Sequence, residues 1–300
     1  MPHADLTRDE TPTRSVHDPL RQVSAGIVRW SEAEVEAGRD ELAVEEPLEL
    51  RLAGADHGPA AAEPLAVIMR TPGHDDELAA GFLYSEGLVR DAGELAGFAP
   101  GSAPDGLPDA NVLVVRPAAS VDLAGRVQAE GYSRRFAVNT SCGVCGKNTV
   151  DAACAALPPL PDGTTRLDPA VLYTLPERLR AGQRVFAETG GLHAAALFDT
   201  TGGLIALRED VGRHNAVDKL VGRALLDGAL PLADRVLLVS GRLSFEIVLK
   251  ALAAGIPIVA AVSAPSSLAL DLAHAGNITL AGFLRGRSVN VYTHPWRIGR

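Results

Sequence analysis

The feature that most constrains the fold is a succession of short apolar runs in the second half of the chain, most closed by a small-residue turn and followed by a helical pattern. Residues 192–199 and 204–208 read as apolar strands joined at Thr200-Thr201-Gly202-Gly203, a hairpin signal. Residues 213–226 are amphipathic, with Val217, Leu220, Val221 and Leu225 on one face. Strands at 235–240, 257–262 and 278–283 then alternate with helices at 243–254 and 266–275, and 288–292 is a last strand. Upstream, Asp168 caps a helical region broken at Pro176 and running to about residue 188. Continuous apolar strands separated by helices require a sheet covered on both faces. The expected architecture is therefore α/β, with a mixed, mainly parallel sheet. Ligands gather at the carboxyl ends of the strands of such sheets.

The first half reads as a smaller α+β unit. Strands are expected at 22–30, 43–52, 65–70, 111–116 and 132–138, with Gly- and Pro-rich loops at 54–63 and 99–110. Asp75 is the expected N-cap of a helix running to Glu86, with Leu78, Phe82 and Leu83 at helical spacing and Gly87 as its stop. Residues 1–21 are rich in charge and proline and are expected to be a disordered tail. The expected organisation is thus a tail at 1–21, an α+β domain at 22–138, a connection at 139–150 and a second domain at 151–300.

Charge and composition exclude several functions. The net charge of −9 argues against a general nucleic-acid binder, and 4% aromatic residues leave little surface for stacking on bases. That total hides a split. Residues 1–140 hold 12 arginines, no lysine and 24 acidic residues, a net −12, while residues 141–300 carry a net +3. The first twenty residues contain no apolar signal core, and the most apolar stretch, 251–262, is interrupted by Gly255 and Pro257 and is too short to span a bilayer. These features predict a soluble, cytoplasmic chain that binds neither membrane nor nucleic acid.

Three cysteines, Cys142, Cys145 and Cys154, form no secreted disulfide framework. Two of them sit in Asn139-Thr140-Ser141-Cys142-Gly143-Val144-Cys145-Gly146-Lys147. Thiols three positions apart can share a metal, close a disulfide or pass a sulfur atom. Lys147 beside them would favour the reactive thiolate, and the glycines would let a bulky partner approach. A structural zinc site needs four ligands, and a thioredoxin-like pair needs a good helix where Gly143 and Gly146 stand, so both compete poorly with sulfur transfer. Cys154, in an Ala-rich stretch, reads as a small core residue.

Three further segments have the form strand, small-residue turn, helix. Glu209-Asp210-Val211-Gly212-Arg213-His214-Asn215-Ala216-Val217-Asp218-Lys219 crowds ionisable groups into one such junction, and its i,i+4 spacing lets Asp218 orient the His214 imidazole. Ser240-Gly241-Arg242-Leu243-Ser244-Phe245-Glu246 places amides and an arginine where a phosphate fits. Ser263-Ala264-Pro265-Ser266 is the third. Together with the Gly turn of Glu188-Thr189-Gly190-Gly191-Leu192-His193, these are expected to share one pocket, with Arg213, His214 and Lys219 lining an anion site.

The order of these motifs, with Arg70-Thr71-Pro72-Gly73-His74-Asp75-Asp76-Glu77 upstream, closely resembles the formate dehydrogenase accessory sulfurtransferase family, FdhD, over about residues 22–298. The resemblance implies a sulfurtransferase that takes sulfur from a cysteine desulfurase as a persulfide on Cys142 and Cys145. The sulfur then passes to a bis-molybdopterin guanine dinucleotide cofactor required by formate dehydrogenase. It also implies a second half with a cytidine-deaminase-like three-layer αβα fold, and a homodimer. The molybdenum cofactor would be held by Lys147, Thr189, Gly190, Gly191, His193, Asp210, Arg213, His214, Asn215, Asp218, Lys219, Ser240, Gly241, Arg242, Ser263, Phe283 and Arg285, with no resident metal. Deamination is not expected, because no histidine is followed two places on by Glu and Ser141 rather than Pro precedes Cys142. The alternatives are a molybdenum-cofactor carrier without sulfur chemistry and a zinc-dependent protein of deaminase fold.

Overall fold

A computed structural model of the chain describes residues 21–32, 34–54, 62–103, 105–129, 151 and 156–299. Residues 1–20 of the expected 1–21 tail, the strand expected at 132–138, the Cys142–Cys145 segment with Lys147, and Cys154 lie outside the described residues.

Three sheets are present among the described residues. The largest has six strands in the order β12-β11-β10-β9-β7-β8, with β7 at His193–Asp199, β8 at Leu204–Asp210, β9 at Arg235–Val239, β10 at Ile258–Ala261, β11 at Thr279–Arg285 and β12 at Ser288–Val291. Strands β9, β10 and β11 run parallel. The pairings β7–β8, β7–β9 and β11–β12 are antiparallel. The sheet is therefore mixed but not mainly parallel, which corrects the sequence expectation. Alternation and burial identify a covered strand without fixing its direction, and the 200–203 hairpin turns β8 back on β7.

Period-two alternation divides the core cleanly. Ala195, Leu197, Leu237, Val239, Val259, Ala261 and Leu280 face helices α6 (Arg213–Leu226), α7 (Phe245–Ala253) and α8 (Ser267–Ala275). Ala194, Ala196, Phe198, Val236, Leu238, Ile258, Ala260 and Ala281 face the other way, onto Leu167, Leu172, Leu175 and Leu179. That second cover contains the short helices α3 (Pro169–Leu172), α4 (Leu175–Gly182) and α5 (Arg184–Thr189), with Asp168 accepting from the Ala170 amide at the start of α3. Glu209 accepts from the Val185 and Phe186 amides and so caps α5 from the end of β8.

The first half holds a four-stranded sheet in the order β4-β3-β6-β5, with β3 at Glu46–Leu52, β4 at Glu63–Arg70, β5 at Leu95–Ser102 and β6 at Pro108–Pro117. Leu48, Leu50, Leu113 and Val115 pack against Leu78 and Leu83 of α1 (Asp75–Ser85) and Leu123 and Val127 of α2 (Leu123–Ala129). A separate antiparallel ribbon joins β1 (Gln22–Trp30) to β2 (Val35–Ala43). Several expectations are corrected here. The expected strand at 43–52 divides into the end of β2 and β3, and the supposed loop at 99–110 is largely strand. The N-cap of α1 is His74, in the left-handed region at φ 58°, rather than Asp75.

The two halves meet where α1 crosses α6. A Cβ on Gly81 would come 1.9 Å from the Asp218 carbonyl oxygen, and one on Gly222 would come 1.8 Å from that of Glu77. Only glycine permits this approach of two helix backbones. Flanking it, Arg208 on β8 holds both carboxylate oxygens of Glu77 on α1, at 2.5 and 2.6 Å. Among the described residues no helix is long and apolar enough to cross a membrane.

Candidate functional site

A cleft of about 540 Å³ opens at the carboxyl ends of β9 and β10, lined by Pro176, Leu179, Arg180, Gln183, Phe186, Gly190, Gly191, Leu192, His193, Ser240 and Val262. The turns at 190–193, 240–241 and 262–263 thus converge. Their geometry follows from local bonds. Gly190 ends α5 in the left-handed region, at φ 67°, with its amide on the Phe186 carbonyl. The Thr189 hydroxyl donates to the Val185 carbonyl and accepts from the Gly191 amide, so Thr189 shapes the turn. The Ser240 hydroxyl accepts from the Ala194 amide and ties β9 to β7 at the floor. Gly241 lies against His193 and Arg213: a Cβ there would sit in ordinary contact, 3.4 Å from His193 Nδ1 and 3.8 Å from Arg213 Cβ.

Phe283, which is not among the residues lining the cleft, adopts φ 53°, a strained conformation for an aromatic residue, and its amide donates to the Ser263 carbonyl at 3.1 Å. The Arg285 guanidinium lies over the Phe283 ring, 5.6 Å from its centroid. Phe283, Arg285 and Arg242 are exposed.

Electrostatics near the cleft favour an anion. His193 is held below the ordinary imidazole range, first by burial and then by the positive charge of Arg213. The Arg213 Nε is buried and has no hydrogen-bond partner among the described residues. A buried guanidinium nitrogen without an acceptor is costly unless a ligand supplies one.

None of the polar residues of the 209–219 motif lines the cleft itself: Arg213 stands behind Gly241 and the lining His193, and the others lie elsewhere, which corrects the expectation for Lys219 and for the His214–Asp218 couple. Asp210 is fully buried. It accepts from the Gly212 amide and Asn215 Nδ2, each at 2.8 Å, from Lys219 Nζ at 2.6 Å and from the Thr71 amide at 3.3 Å. Lys219 also donates to the Thr71 carbonyl and Asn215 to the Met69 carbonyl, so these groups bind the halves together. Burial lowers the Lys219 ammonium, against the pull of the Asp210 carboxylate. Asp218 turns away from His214 to Lys250, at 2.7 and 2.9 Å, and accepts from Ser85. The helical spacing does put His214 and Asp218 on one stripe, but Lys250 on α7 offers a full charge to a buried carboxylate. His214 instead meets Ser244 Oγ at 3.0 Å and Glu246 at 3.6 Å. Its hydrogen bond is the first cause that brings the Glu246 carboxyl down to about 2.

The cleft-lining Arg180 and Phe186 escaped sequence reasoning. They stack on one another, at 4.3 Å from guanidinium carbon to ring centroid, across a break between two short helices that carries no chemical motif. Among the described residues no group of three or more His, Cys, Asp or Glu converges as a metal site.

The sequence model of the FdhD/NarQ family matches residues 43–299. The chain belongs to the FdhD/NarQ family. Proteins named sulfur carrier protein FdhD resemble it along most of their length. The one from Streptomyces avermitilis is 52% identical over 276 residues, covering 91% of this chain and 94% of that protein. The one from Mycobacterium tuberculosis is 48% identical, covering 86% and 91%, and the one from Sulfurisphaera tokodaii 45% identical, covering 88% and 94%. The crystal structure of a Desulfotalea psychrophila protein described as a formate dehydrogenase accessory protein superposes with a TM-score of 0.70 at 25% identity, covering 93% of this FdhD/NarQ chain and 99% of that one.

Proposed function

We propose that this chain is a sulfur carrier and sulfurtransferase serving formate dehydrogenase, with Cys142 and Cys145 as the sulfur-carrying pair and the cleft as the seat of the guanine nucleotide end of its acceptor, bis-molybdopterin guanine dinucleotide. The observation that carries the reading is the cleft. Three backbone turns converge at the carboxyl ends of the strands, where nucleotides bind in open α/β folds, and next to Gly241 stands Arg213, whose buried Nε has no acceptor among the described residues. The family names of the relatives supply the sulfur chemistry.

The chemistry needs a thiolate and no external oxidant. One thiolate of the pair attacks the outer sulfur of a persulfide on the donor, a cysteine desulfurase. The donor's S–S bond breaks, its cysteine leaves as thiolate, and a new S–S bond forms on this chain. Attack of the second thiolate on the inner sulfur of that persulfide then closes a Cys142–Cys145 disulfide and expels hydrosulfide toward the molybdenum centre of the acceptor. The two cysteines supply the two electrons. Arg213 would hold phosphate oxygens, and Arg180 and Phe186 would wall the cleft against water. The working unit is proposed to be a homodimer.

The test is activation of formate dehydrogenase by a Cys142→Ala/Cys145→Ala chain whose circular dichroism and melting match wild type. The proposal expects activation to be lost. Full activation by the double variant would favour a cofactor carrier without sulfur chemistry.

A further inference from the structure

Thr71 belongs to the first half, far in sequence from the cleft, and is not among the residues that line it. It is nevertheless bonded to the turn that launches Arg213. Its hydroxyl accepts from the Val211 amide at 3.2 Å, its amide donates to Asp210, and its carbonyl accepts from Lys219. Asp210 in turn accepts from the Gly212 amide and from Asn215. Every polar group of this cluster is committed to holding residues 210–213 in one conformation. Arg213 is the next residue, and within this cluster its Nε is the buried polar atom that has no partner among the described residues. Thr71 is 1% exposed, so water cannot replace its hydroxyl without opening the joint between the halves.

We infer that Thr71 is a positioning residue for the anion site: through Val211 and Asp210 it fixes the turn that aims Arg213, so the second-half cleft is completed by the first half. This rests on the nucleotide reading above. It reassigns Asp210 and Lys219, which the sequence pattern places among ligand contacts, to the support behind Arg213. The joint then has a function beyond cohesion, because a shift of α1 and its preceding turn relative to α6 is transmitted to the arginine within three residues.

The test uses the full chain, with GDP as the probe in calorimetry and amide hydrogen exchange as an independent readout. Thr71→Val keeps the shape and removes the acceptor, and Thr71→Ser restores it. The expected result is that Thr71→Val binds GDP about tenfold more weakly, the loss of roughly one buried hydrogen bond's worth of positioning, while Thr71→Ser stays near wild type. Exchange at Val211 and Gly212 should rise in the valine variant alone. In an Arg213→Gln background, Thr71→Val should cost nothing further, because its effect runs through the arginine. Equal affinity of the valine and serine variants, unchanged exchange at Val211, or full additivity with Arg213→Gln overturns the positioning role. A wild-type chain that does not bind GDP refutes the nucleotide reading, and with it the use to which the positioned arginine is put. The exchange data still report whether Thr71 holds the turn.

Discussion

Substituting Gly222 by alanine tests the joint between the halves at its tightest point. The new Cβ would start 1.8 Å from the Glu77 carbonyl oxygen and 2.6 Å from the Gly81 nitrogen, both backbone atoms of α1 that no rotamer change can remove. A carbon and a carbonyl oxygen normally stay about 3.3 Å apart or more, so α1 and α6 must separate by roughly 1.5 Å. That retreat loosens the Ser85–Asp218 bond at 3.0 Å and the paired Arg208–Glu77 contacts. Overpacking of this kind costs about 3 kcal/mol when backbone must move. Alanine's better helix propensity offsets about 1 kcal/mol of it. The expected net loss is about 2 kcal/mol, or a fall in Tm of roughly 4–8 °C for a domain of this size. Urea unfolding followed by circular dichroism measures it, with Gly26→Ala on the outer ribbon as control, since nothing lies within 4 Å of its Cβ position. A Gly222→Ala chain as stable as wild type refutes the close-contact account of the joint.

Two further outcomes follow from the buried charges. Lys250→Met leaves the Asp218 carboxylate buried without its ion pair and should cost about 3–5 kcal/mol in urea unfolding, most of it recovered in Asp218→Leu/Lys250→Met; a double variant as unstable as the single one contradicts this. Glu246 has its folded-state pKa lowered from 4.5 to about 2, so its contribution to stability is present above pH 4.5 and is lost as pH falls toward 2. Acid unfolding of Glu246→Gln should therefore depend less steeply on pH across that window, and identical slopes would remove His214–Glu246 as a source of stability.

The second half was far more legible in the sequence than the first. Helix α6 falls on the residues its amphipathic pattern indicated, and each of the six expected strands formed; the central ones, β9 and β10, are buried on both faces and so carry an unbroken apolar signature. Strand β2 escaped because Val-Glu-Ala-Gly-Arg-Asp-Glu-Leu-Ala forms a mostly exposed ribbon with no buried face to impose alternation. Strand β5 escaped because Gly97, Pro100 and Gly101 read as loop, yet an edge strand with bulges accommodates them. Two of the converging turns, at 240–241 and 262–263, were visible as a repeated strand-turn-helix pattern and the other as a Gly turn entering a strand, whereas the third strand-turn-helix segment, 209–219, does not line the cleft. What lay hidden was which polar residues face the cleft. Asp210, Asn215 and Lys219 look like ligand contacts until Thr71 and Met69, about 140 residues away, are seen to claim them. Spacing along α6 likewise could not reveal that Lys250 would outcompete His214 for Asp218.

The central claim is that sulfur rides on the Cys142–Cys145 pair, and its most direct measurement is the mass of the peptide carrying them after incubation of the intact chain with a cysteine desulfurase and cysteine. The account predicts a species heavier by one sulfur atom, removed by a thiol reductant and absent when desulfurase is omitted. A peptide unchanged in mass at both cysteines, under conditions where the desulfurase itself is persulfidated, would contradict it.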